Sequence, residues 1–147
     1  MMHLFIAFDG SDDGFEALRL LVTHLDPAEQ RRVSATVIMW PQRESPIWDK
    51  ALEHAVEVDD LHRAMAEVAN AELQRVRGLF HETTRFHPIT ADGQPVDVLV
   101  NLTNGDPPDL MVAAVTGGRH RDVVRTAIAQ VIERTRRPLV IANGAGS

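Results

Sequence analysis

Three stretches of this 147-residue chain carry residue types that can bind or react. Leu4 to Phe8 is a continuous apolar run that breaks at Asp9-Gly10-Ser11. A carboxylate at the carboxyl end of a strand faces the ligand crevice of an open α/β sheet, where it can contact a ribose or a metal. The same Asp-Gly-Ser can equally form a turn and cap the next helix. Thr116-Gly117-Gly118-Arg119-His120-Arg121 follows a second apolar run and precedes a helical pattern. Free N–H groups and several positive charges there can meet an anion; the plainer outcome is a turn with solvated arginines. The third stretch, Trp40 to Trp48, is irregular and holds both tryptophans. Such a loop can cover a crevice or contact a partner, or simply pack a tryptophan beneath itself.

Other chemistries find little support. There is no Gly-x-Ser-x-Gly turn for a serine nucleophile and no Gly-Lys-Ser/Thr of a Walker loop. Cysteine is absent, which removes disulfides, thiolate metal sites and a cysteine nucleophile together. Seven histidines invite a metal, but His54 and His62 lie about two helical turns, ~12 Å, apart, and neither has a second ligand four residues on. His81 and His87 flank a loop that nothing in the sequence closes. Metal binding is not expected. Asp12-Asp13 and Asp59-Asp60 sit where helix starts and solvated faces commonly carry acids. An enzyme is the minority expectation.

The composition agrees. An apolar share of 44% and a charged share of 24% are globular values, and the length suits one domain with one core. With 15 Lys+Arg against 21 Asp+Glu the net charge is -6, which disfavours a nucleic-acid partner. No uncharged apolar stretch approaches the ~20 residues of a membrane span, and the first residues lack the pattern of a signal peptide. A soluble, cytoplasmic protein with no membrane partner is expected.

Five segments predict strands: Leu4 to Phe8, Val33 to Trp40, Thr83 to Thr90, Leu110 to Val115 and Leu139 to Ala142. Runs apolar on both faces suit a parallel sheet covered by helices on each side. Between them, Ser11 or Asp12 can cap a helix to about Leu25, with Phe15, Leu18, Leu21 and Val22 on one face. Asp49 to Phe80 predicts one long amphipathic helix, its stripe carried by Val58, Leu61, Met65, Ala69, Leu73, Val76 and Phe80. Pro95 to Leu102 predicts a short helix and Arg121 to Arg136 a last one, with Val124, Ile128, Val131 and Ile132 inward. Strands and helices alternate throughout, as in an open α/β sheet. Residues 1–142 form the domain and 143–147 a flexible tail.

Two stretches resemble the universal stress protein family. Phe5-Ile6-Ala7-Phe8-Asp9-Gly10-Ser11, with Ala17-Leu18 on the following helix, is similar to that family's opening strand and turn. Pro108-Asp109-Leu110-Met111-Val112, through to Arg137-Pro138-Leu139-Val140-Ile141, is similar to its fourth strand, last helix and closing strand. The resemblance implies a five-stranded parallel sheet ordered 3-2-1-4-5 with helices on both faces, and a homodimer paired through the last strands.

Part of that family binds ATP through a glycine motif near the C-terminus. In this chain Ala114 stands for the motif's first glycine, Gly117 keeps the second, and the final Gly-Ser/Thr falls on Arg125-Thr126 after a stretch two residues too short. An arginine where the motif needs no side chain crowds the phosphates. The resemblance therefore implies a stress-linked binding or regulatory module with a degraded nucleotide site, without ATP or another cofactor, acting on an unidentified protein partner. Any nucleotide would meet Asp9, the main chain of Met39 and Trp40, Ala114, Gly117, Gly118, Arg119, Arg125 and Thr126. Two alternatives stay open: an ATP binder with Arg119 and Arg125 on the phosphates, and a small nucleotide hydrolase or nucleotidyl transferase on a similar fold.

Overall fold

The computed structural model describes residues 1–39, 45–54, 58–90, 94–117 and 121–144. The strands are β1 (Met2–Phe8), β2 (Arg31–Val37), β3 (Arg85–Ile89), β4 (Leu110–Val115) and β5 (Leu139–Asn143). The helices are α1 (Asp12–Thr23), α2 (Pro46–His54), α3 (Val58–Arg77), α4 (Pro95–Gly105) and α5 (Arg121–Thr135). All neighbouring strands are parallel, in the order β3-β2-β1-β4-β5.

β1 is central, and the side-chain period of two divides its residues between two cores. Leu4, Ile6 and Phe8 point into one, with Leu18 of α1, Ala51 of α2 and Leu61, Met65, Leu73 and Val76 of α3. Phe5 and Ala7 point into the other, with Leu99 and Val100 of α4 and Val131 of α5. That two-sided burial is why β1 reads as an unbroken apolar run. His3, buried on the second face, is satisfied by the Ser34 hydroxyl 2.9 Å from its Nε2.

Several boundaries differ from expectation. β2 ends at Val37, and Trp40 lies outside the described residues. β3 is confined to Arg85–Ile89 and mostly exposed, which explains its weak sequence signal. α4 runs three residues beyond Leu102, and α1 stops two short of Leu25. β5 takes in Asn143, and the Gly144 N–H donates to the Val115 carbonyl, so the sheet edge includes two residues assigned to the tail. On α5, Ile128 and Val131 are buried as expected, but Ile132 faces out. The Val124 side chain lies outside the described residues.

The largest difference is the expected single helix from Asp49 to Phe80, which is two helices. In one continuous helix Lys50 and Glu72 would be about 33 Å apart; here Lys50 Nζ lies 2.8 Å from Glu72 Oε1, so α2 folds back onto α3. The start of α2 is marked in the sequence after all. Ser45 caps it, accepting the Trp48 N–H at 3.1 Å, and Pro46 stands in the first turn, where its missing N–H costs nothing. Arg75 also binds Glu72, and both cations reach Asp12 at the start of α1, so one cluster of four charges ties three helices. A double-mutant cycle on Lys50→Ala and Glu72→Ala should give a coupling of about 1 kcal/mol in urea unfolding; additive effects would contradict the folded-back arrangement.

Candidate functional site

The carboxyl ends of β1 and β4 lie side by side, Phe8 in register with Ala114. The Asp9 N–H continues the ladder, donating to the Ala114 carbonyl at 3.1 Å. Its side chain is buried and receives three donors. The Ser11 N–H and hydroxyl reach Oδ1 at 2.9 and 2.6 Å, and the Thr116 N–H reaches Oδ2 at 2.7 Å. The Ser11 hydroxyl in turn accepts the Gly14 N–H at 3.0 Å and so caps α1. Asp9 is thus the buried bracket that joins the first helix start to the loop after β4. Between the two, Gly10 takes φ +82, a left-handed backbone, and any Cβ there would run into the Ile47 side chain.

A second carboxylate completes the arrangement. Asp13, in the first turn of α1, accepts the Thr116 hydroxyl at 2.8 Å and the Gly117 N–H at 3.0 Å, both on Oδ2. Gly144, just past β5, lies so close to Asp13 that a Cβ at that position would overlap its carboxylate. Two internal carboxylates therefore occupy the N–H groups of Thr116 and Gly117, the described donors of the loop that the sequence marks as the anion site.

Their titration differs. Burial lifts Asp9 above its ordinary value, against the pull of the Ser11 and Thr116 donors, and the Asp13 charge adds to the lift. Burial also works to raise Asp13, but the Gly117 N–H and the Thr116 and Ser11 hydroxyls outweigh it and hold Asp13 below the usual carboxylate value.

The remaining expected site residues are dispersed. Ala114 is fully buried and meets the site only through its carbonyl. Met39 is half-buried and packs on the core beside α2. Arg125 and Thr126 are exposed in the second turn of α5, where main-chain N–H groups are already inside the helical ladder. Trp40, Gly118 and Arg119 lie outside the described residues. Trp48, at the far end of the tryptophan-bearing stretch, packs against the core. Among the described residues no cluster of three His, Asp or Glu side chains is arranged to hold a metal. Asp13 and Gly144 escaped the sequence analysis. The only signal for Asp13 was its place in a helix's first turn, and its partners lie more than 100 residues away.

Known structures share the fold. The chain aligns with a universal stress protein in complex with cAMP, at 16% identity over 97% of this chain and 96% of that one, TM-score 0.53. The hypothetical protein MJ0577 aligns at 14% identity over 99% and 98%, TM-score 0.66. The universal stress protein of Archaeoglobus fulgidus in complex with dAMP aligns at 14% identity over 96% and 97%, TM-score 0.53. The fold is that of the universal stress proteins. No family model and no curated protein matches the sequence. Within the universal-stress-protein fold, Asp9 stands at the end of the central strand and Asp13 beside it, so the carboxylate pair lies at the sheet's crevice end.

Asp9→Asn should destabilise the protein by about 2 kcal/mol, because an amide can satisfy one side of the bracket but sets its NH₂ against an N–H on the other. For Asp13 the sign of the pH effect follows from its lowered value. The folded state binds fewer protons than the unfolded one below the ordinary carboxylate value, so its stabilisation is full at neutral pH and is lost as pH falls through the folded value. The stability gap between wild type and Asp13→Asn in urea unfolding should therefore be widest at neutral pH and close on the acid side; a gap independent of pH would contradict the assignment.

Proposed function

We propose that this protein is a stress-linked binding and regulatory module of the universal stress protein type, and that its crevice does not hold a nucleoside triphosphate. The observation that carries the reading is the Asp13 carboxylate on the Gly117 N–H. A phosphate cradle needs free main-chain donors and tolerates no fixed negative charge among them. At Gly117 the donor is spent and the charge is present. The substitution of Ala114 and Arg125 for two of the motif's glycines supports the same conclusion from the sequence.

Homodimerisation through the last strand belongs to the proposal. β5 is an edge strand, and it leaves Val140 and Ile141 40% and 39% exposed, with Ile132 of α5 also facing out. An apolar edge of this kind is stabilised by pairing with a second copy. The proposal also places its action in the cytoplasm, on a protein partner; no helix among the described residues is long and apolar enough to cross a membrane.

Calorimetric titration with Mg-ATP, beside AMP, tests the crevice. Wild type should give no binding heat up to millimolar nucleotide, and Asp13→Ala should gain measurable affinity by freeing the Gly117 N–H. Micromolar binding by wild type that Arg125→Ala weakens would instead establish the arginine-based ATP site. For the dimer, Val140→Asp should convert the species seen by light scattering from dimer to monomer without loss of the circular dichroism spectrum. A wild-type monomer would refute that part.

A further inference from the structure

The edge strand β5 uses half of its main chain within the sheet. The Met111 N–H donates to the Pro138 carbonyl and the Gly144 N–H to the Val115 carbonyl, both at 2.9 Å. With Leu139 in register with Met111 and Asn143 with Val115, the even-numbered residues turn their polar groups to β4. Main-chain groups alternate along a strand, so those of Leu139, Ile141 and Asn143 point out of the sheet edge. A two-fold axis sets two identical edges antiparallel. Pairing all three outward residues then places Ile141 opposite the partner's Ile141 and Leu139 opposite the partner's Asn143. In that register Pro138 meets the partner's Gly144.

The two ends of the strand differ in charge. Just before β5, Arg134, Arg136 and Arg137 are exposed. Arg134 is held by Asp97 at 3.1 Å, whereas among the described residues Arg136 and Arg137 form no ion pair. Arg136 takes φ 53, a left-handed backbone that glycine adopts freely after a helix and arginine does not. A cation is kept there against that strain. Just beyond β5, Gly144 abuts the Asp13 carboxylate. Among the described residues the donors to Asp13 are neutral, the Thr116 and Ser11 hydroxyls and the Gly117 N–H. They orient the carboxylate without cancelling its charge.

We infer that the crevice is completed by the second copy: in the two-fold pair, the partner's Arg136 and Arg137 stand beside Gly144 and neutralise Asp13. The inference rests on the proposed pairing through β5 and names what that pairing brings to the crevice. Antiparallel edges put the arginine end of one strand against the carboxylate end of the other, and the axis repeats the contact at both ends of the seam. Opposite charges so placed fix the register of a seam whose apolar residues alone would tolerate slippage.

The dimer dissociation constant, measured by light scattering over a concentration series at low salt, tests the inference. Replacing Arg136→Ala and Arg137→Ala together should weaken the dimer about tenfold or more, and raising the salt should weaken wild type more than this variant. In an Asp13→Asn background the same two substitutions should cost little, because their partner is already gone. Circular dichroism and urea unfolding establish that each variant is folded; both arginines are exposed, so the variant lacking them carries the test if Asp13→Asn is too unstable. A wild-type dimer that Val140→Asp dissociates, but whose affinity the arginine substitutions leave unchanged or lower equally with and without Asp13, would overturn the inference and leave the β5 pairing standing. A wild-type monomer would overturn both.

Discussion

A carboxylate removed from water must be given donors, and in this protein that requirement organises the crevice end of the sheet. Asp9 is buried where the chain leaves the central strand, and its three donors come from two segments more than 100 residues apart. One is the cap of α1, the other the loop after β4. Satisfying one side chain therefore fixes where the first helix begins and where the fourth strand lets go. Gly10, Gly14 and Gly144 accept this crowding because none has a side chain to clear.

The central parallel sheet was legible because parallel strands covered on both faces leave a distinctive trace. Leu4 to Phe8 and Leu110 to Val115 have no polar side, and both are interior strands. β3, exposed at an edge, had the weakest signal for the converse reason. The α2–α3 break was missed because amphipathic periodicity reports which face is buried and says nothing about continuity. Leu61 through Val76 keep their stripe whether or not the chain has turned before them. What the sequence did carry is Ser45-Pro46, the cap and first-turn pair that starts α2 upstream of the stripe.

The site was legible in part. Asp9 was recognisable as a strand-end carboxylate with two possible roles; two of its three hydrogen bonds are those of the turn and cap, and the third comes from Thr116. Thr116 and Gly117 were recognisable as part of a donor-bearing loop after an apolar strand. Their partner was not, because Asp13 sits in a helix's first turn, where acids are favoured by the helix dipole alone. That local explanation is sufficient on the sequence, and only tertiary structure shows the same oxygen serving two donors across the crevice.

The contact between Asp13 and Gly144 joins places that would otherwise be separate. Gly144 lies just past β5, the edge strand that leaves Val140 and Ile141 exposed, while Asp13 holds the loop after β4. One carboxylate thus abuts both the crevice and the exposed edge of the sheet. A shift of Asp13 in the crevice is therefore felt by the backbone that follows this edge.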